Sequence, residues 1–342
     1  MKHFFIISLS LVFLSIISIK ADAEVCVKES SFHGLKTVVM ESDTLKLAIL
    51  PERGANIISM YDKKTNREWV WQNPSFKYKK PKYDDSFLDY DMSGYDDCFP
   101  TIGREKCFAY PWKDVVMPDH GEVWTLPWKY RVEKGKILLS VHGVRFPYIL
   151  EKQVSFDEKC LSLTLCYRAT NLSPMDMPVI WCGHYMSAVT PGMEAFFTED
   201  VEFTKNLNPW SLEHHDQLSW VKFGKPETKI VAKFISKELS QGYAGFYDPA
   251  TKDYLLYTFS VEKLPYLGLW INQRGFPFPE SEFYHAGLEP TNGLETPGDS
   301  QKAGLLKYLK AYSSMEWQIR ITFGKAERKK LYDAIMTLQQ KP

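Results

Sequence analysis

The sequence predicts an all-β chain, and three observations predict it. Apolar and polar residues alternate in short runs, as in Leu161-Ser162-Leu163-Thr164-Leu165-Cys166-Tyr167 and Trp317-Gln318-Ile319-Arg320-Ile321-Thr322-Phe323. From residue 137 onward such runs recur about every eight to twelve residues, the rhythm of a sandwich or a barrel. Only 325–340 carries a convincing helical pattern, and no Gly/Ser linker, repeat or low-complexity tract divides the chain.

Residues 1–23 read as a secretory signal: Lys2 and His3, an apolar run, then the A-x-A pattern Ala21-Asp22-Ala23. The run is short for a membrane span and ends at Lys20. The expectation is an exported protein, periplasmic or secreted, with 24–342 as a single domain and no membrane span after signal removal. Strands are expected at 37–40, 44–50, 56–61 and 68–71. Residues 73–118 are rich in Pro, Tyr, Lys and Asp with little alternation, so they read as a long loop of the functional or mobile kind. Strands return at 137–144, 148–155, 161–167 and 178–184. An excursion loop is expected at 205–228. Further strands follow at 229–234, 242–247, 254–260, 266–272 and 317–323. The short C-terminal helix has only a ragged apolar face (Leu331, Ile335, Met336, Leu338), so it is expected to pack on the outside.

The formal charge is zero; removing residues 1–23 takes Lys2, Lys20 and Asp22 with it and leaves −1. Nothing in that balance calls for nucleic acid or an anionic membrane. Aromatics make up 15% of the chain, enough to supply ring platforms on which sugar C–H faces pack. Six cysteines stand at 26, 98, 107, 160, 166 and 182. Their spacing matches no zinc pattern. Cys160 and Cys166 lie too far apart along one extended segment to pair with each other; Cys98 and Cys107 are spaced to close a small loop.

Nucleophile elbows, phosphate-cradling glycine loops and zincin helices are missing. His214-His215 lacks a third ligand at useful spacing, so no metal is expected, and no cofactor. Three residues in turn-like settings stand out: His120, His184 and Glu289, the last followed by Pro290 and so expected at the end of an extended segment. An imidazole and a carboxyl can work as an acid–base pair near neutrality. Opening and reclosing a sugar hemiacetal needs only such a pair.

The ordered set Pro51–Ser59, Pro118-Asp119-His120-Gly121-Glu122-Val123-Trp124, Gly183-His184, Tyr266-Leu267-Gly268-Leu269-Trp270-Ile271-Asn272 and Gly287-Leu288-Glu289-Pro290-Thr291 resembles the galactose mutarotase-like family, the aldose 1-epimerases and their relatives. The resemblance implies a large antiparallel β-sandwich, the supersandwich of that family, with a small-molecule carbohydrate bound on a concave sheet face. It implies His184 as the acid toward the ring oxygen and Glu289 as the base toward the anomeric hydroxyl. It gives His120 a hydrogen bond to the sugar near the ring oxygen. Asp119, Glu122, Trp270 and Asn272 join the substrate-binding set, Trp270 as a stacking ring. The family's GR-x-x-NR-like stretch is missing, so Arg53 and Arg104 are stand-ins for its arginine. The implied activity is interconversion of the α and β anomers of a free sugar. The alternatives are a carbohydrate-binding protein without turnover, or a lyase or hydrolase on the same fold.

Overall fold

The computed structural model describes residues 25–157, 159, 161–204, 212–278 and 281–339. The expected signal segment, Cys160 and part of the expected excursion loop lie outside the described residues.

Two ten-stranded antiparallel sheets face each other. The first runs Cys26–Phe32, Leu35–Glu41, Leu45–Leu50, Asn56–Asp62, Tyr95–Cys98, Cys182–Ser187, Tyr284–Thr291, Tyr266–Gln273, Val231–Ile235, with Arg67–Glu68 beside the fourth strand. The second includes Glu194–Thr198, Tyr243–Tyr247, Asp253–Phe259, Ser314–Lys325, Ser162–Asn171 and Tyr148–Phe156 at its centre. Every second residue of the central strands points inward. Tyr95, Tyr185, Leu267, Leu269 and Leu288 of the first sheet meet Leu150, Leu163, Leu165, Ile319 and Ile321 of the second. Burying each such aliphatic side chain stabilises the fold by about 1.5–3 kcal/mol. This is the core that the alternating runs foreshadow, and its two-sheet form selects the sandwich over the barrel.

One buried ion pair crosses that core. Lys152 Nζ lies 2.7 Å from Asp97 Oδ2 and donates at 3.0 Å to the Ala55 carbonyl. Trp181 Nε1 donates to the other Asp97 oxygen at 3.2 Å. The pair ties the two sheets directly behind the Tyr95–Cys98 strand.

Four features differ from expectation. There are two helices among the described residues, Pro297–Lys302 and Arg328–Gln339. The first has six residues, too few to show a periodic apolar face, and its start is fixed by Thr296 accepting from the Asp299 amide. The second lays Leu331 and Ile335 against Trp220, Tyr247 and Leu256 on the outside of the second sheet, as its ragged face suggested. The expected excursion loop contains two strands, Glu213–His215 and Leu218–Lys222, whose Leu218 and Trp220 are buried in the same cluster. There His214 meets the Ser219 hydroxyl at 2.9 Å and His215 stacks on Trp220. The long loop also yields a strand, Tyr95–Cys98, buried throughout and therefore without alternation. Finally, Cys98 and Cys107 are both free thiols, and Cys98 sits opposite Cys182 in the sheet instead.

Candidate active site

The site forms on the outer face of the first sheet, and strand register builds it. Asp96 pairs with His184 across one ladder. On the other side Cys182 pairs with Thr291 and Tyr185 with Leu288. The same register sets His184 opposite Glu289, where Pro290 has no N–H to donate and the ladder is interrupted. Glu289 in turn pairs with Gly268, and Gly268 with Ile235. Five residues on five adjacent strands therefore form one row, and His184 Nε2 comes within 3.7 Å of Glu289 Oε1. Glu289 thus sits within a central strand, not at a rim, because Pro290 is tolerated where a ladder bond can be left out. Glycines make room for its carboxylate: a β-carbon at Gly268 would lie 2.9 Å from Oε2, and one at Gly287 would lie 3.2 Å from Oε1.

His120 arrives from a loop. Its backbone is left-handed at φ +57° and is followed by Gly121 at φ +76°. Gly121 bridges to Phe99, and a β-carbon there would fall 2.2 Å from the Phe99 carbonyl oxygen, so glycine is required. The His120 amide donates to Ile102 at 2.6 Å. So held, the imidazole stands edge-on to His184 with ring centres 4.8 Å apart. Asp119 Oδ2 lies 3.1 Å from His120 Nδ1. Phe87, from the long loop, stacks on His120 at 4.2 Å and meets His184 edge-on at 5.2 Å.

His184 is 7% and Glu289 2% exposed, and burial governs both. It pushes the His184 imidazole well below its ordinary range, helped by His120 and Lys233. It pushes the Glu289 carboxyl up, against the pull of Lys233. Burial likewise brings Asp96 up to about 6, opposed by Arg53, and His285, stacked on Trp71, down to about 3. At Asp119 burial acts upward, but His120, the Phe87 backbone and Lys233 together outweigh it and hold the carboxyl low. The low-dielectric setting favours uncharged forms on both sides of the His184–Glu289 pair. Such a pair shares a single transferable proton, so one partner can give while the other takes.

A cavity of about 450 Å³ opens beside Glu289, lined by Cys182, Lys233, Thr291, Glu295 and Asp299 among others. Trp270 lies on the same sheet face, opposite Gly287 in register, and meets Phe276 edge-on. The other predicted residues are engaged elsewhere. Asn272 donates to the Phe276 carbonyl at 3.0 Å and accepts from the Gly275 amide, holding a turn. Glu122 accepts from Tyr83 Oη and the Arg145 amide, at 2.5 and 2.7 Å. Arg53 is 1% exposed with its guanidinium 3.1 Å from Asp91. Arg104 points outward onto Asp84. Phe87, Asp96 and Lys233 were missed. The proximity of Asp96 and Lys233 depends on pairing between strands far apart in the chain, that of Phe87 on how the long loop folds back, and no local motif marks them.

No family model matches the chain, and no curated protein matches it. Solved structures do. A candidate aldose 1-epimerase of Klebsiella pneumoniae superposes with a TM-score of 0.70 at 13% identity, over 94% of this chain and 89% of that one. A galactose mutarotase-like protein of Lactobacillus casei gives 0.62 at 16% identity, over 84% and 100%. A galactose mutarotase related enzyme of Lactobacillus acidophilus gives 0.63 at 15%, over 85% and 98%. At these identities the likeness establishes the galactose mutarotase-like fold.

Proposed function

We propose that the protein interconverts the α and β anomers of a free sugar. The observation that carries this reading is the buried His184–Glu289 pair at 3.7 Å with His120 beside it. One partner protonates the ring oxygen while the other removes the anomeric O–H proton. The C1–O5 bond breaks and a C1 carbonyl forms. Rotation about C1–C2 presents the other carbonyl face, and the two transfers run backward to close the ring. The resemblance assigns the ring oxygen to His184 and the anomeric hydroxyl to Glu289, with His120 steadying the ring oxygen and Trp270 stacking on the sugar. Microscopic reversibility lets each residue act in both senses. The A-x-A pattern supports work outside the cytoplasm. No helix among the described residues is long and apolar enough to cross a membrane.

Anomeric exchange measured by NMR on neutral and acidic free sugars tests the proposal. Acceleration of a sugar by the parent protein, abolished by Glu289→Gln and by His184→Ala, is the expected result. Binding without acceleration, retained by both variants, would replace it with the carbohydrate-binding reading.

A further inference from the structure

Lys233 transfers no proton in the proposed chemistry and acts on the pair only through its charge, yet it shares a cavity with Glu289. It lies opposite Trp270 in register, and Trp270 lies opposite Gly287, two residues from Glu289 on the same sheet face. Its Nζ sits 2.9 Å from Glu295 Oε2 and 3.1 Å from Oε1. Glu295 lines the same cavity. Its carbonyl accepts from the Gly103 amide at 2.8 Å, one residue from the Ile102 carbonyl that holds His120. The loop that sets His120 therefore also sets Glu295, and the distance between chemistry and ion pair is fixed by backbone. Both side chains are substantially exposed, Lys233 at 36% and Glu295 at 49%. A pair of that kind adds little to stability.

We propose that Lys233 and Glu295 read two adjacent hydroxyls of the sugar and so determine which sugar is taken; this rests on the sugar reading above. The ammonium has only donors and the carboxylate only acceptors. A vicinal diol satisfies both at once: one hydroxyl oxygen accepts from Lys233 and the neighbouring O–H donates to Glu295. A sugar lacking either hydroxyl forgoes one charge-assisted hydrogen bond to the pair, and the site disfavours it on that account. An anionic substituent fits poorly, since Glu295 and Asp299 both line the cavity and Lys233 is already shared with Glu295.

The test uses Lys233→Met and Glu295→Gln of the full chain with D-glucose, D-galactose, their monodeoxy derivatives and D-glucuronate. Anomeric exchange and calorimetric binding are measured in parallel. The parent is expected to lose about tenfold or more in affinity for the derivatives lacking either of two adjacent hydroxyls. In each variant KM is expected to rise by a similar factor, and the penalty at the matching hydroxyl to vanish. Unchanged KM in both variants, or penalties that persist, would overturn the assignment. If the parent binds a sugar without turning it over, the same pattern in dissociation constants upholds the subsite while the epimerase reading falls. If none of these sugars binds, both readings fall.

Discussion

Asp96 and Asp97 are consecutive and both buried, yet they face opposite sides of one sheet and do opposite things. Asp97 looks into the core, where Lys152 and Trp181 satisfy both its oxygens. Asp96 looks outward, opposite His184, with one oxygen lacking a hydrogen-bond partner and its carboxyl raised to about 6. The inner face has matched its charges; the outer face keeps polar groups with capacity left over. Matched groups hold a fold together, and unmatched ones are available to a ligand.

Breaking the outer face is expected to have the largest effect. Glu289→Gln and His184→Ala are each expected to lower anomeric exchange by about 10²- to 10⁴-fold, the usual weight of a positioned acid or base. Their urea unfolding curves should stay near the parent's; a collapse in stability instead would make these residues structural.

The inner face should break differently. Lys152→Met leaves the Asp97 carboxylate buried without its cation, an expected loss of roughly 3–5 kcal/mol in unfolding free energy. Adding Asp97→Leu removes the stranded charge and should recover most of that loss. If the double variant is no better than the single one, the pair is not the tie described here.

Asp96 sharpens the contrast through pH. Its folded-state value of about 6 lies above the ordinary carboxyl range, so the folded chain holds this proton more tightly than the unfolded chain does. Its effect on stability is therefore most favourable below about pH 4 and is lost as pH rises toward 6, by about 3 kcal/mol in all. Asp96→Asn should remove that dependence. The stability difference between variant and parent, followed from pH 4 to 7 by denaturant unfolding, should change by this amount; a difference independent of pH would count against an outward-facing, unmatched Asp96.

The smallest expected effect is a displacement of the activity profile. Burial holds His184 well below and Glu289 above their ordinary values, so the pair should keep its one shared proton and kcat/KM should stay level as pH falls through 6.5, declining only where a second proton binds. An acid limb centred at 6.5 would mean that the imidazole is solvated in the working enzyme.

The same two faces explain what the sequence could show. Inward-facing positions such as Leu163, Leu165, Ile319 and Ile321 recur at period two and are legible as strands. The Tyr95–Cys98 strand is buried on both faces and carries two aspartates, so neither alternation nor hydropathy marks it. His120, His184 and Glu289 stand out in the sequence only by their turn-like settings, and the resemblance alone gives them the roles proposed for them. Pro290 pointed correctly to extended backbone at Glu289, but reading it as the end of that segment missed the neighbouring strands that pair on both sides. Lys233 and Phe87 become neighbours of the pair only when the Val231–Ile235 strand and the long loop are in place.

The left-handed backbone of His120 has a consequence for directed evolution. A glycine there would relax the loop by roughly 1 kcal/mol, since it adopts positive φ without the penalty a β-carbon brings. A library screened only for heat resistance should therefore drift away from histidine at this position, toward glycine or asparagine. A library screened for turnover should keep it. Running both selections in parallel would show, from the survivors alone, whether this loop is maintained for its shape or for its imidazole.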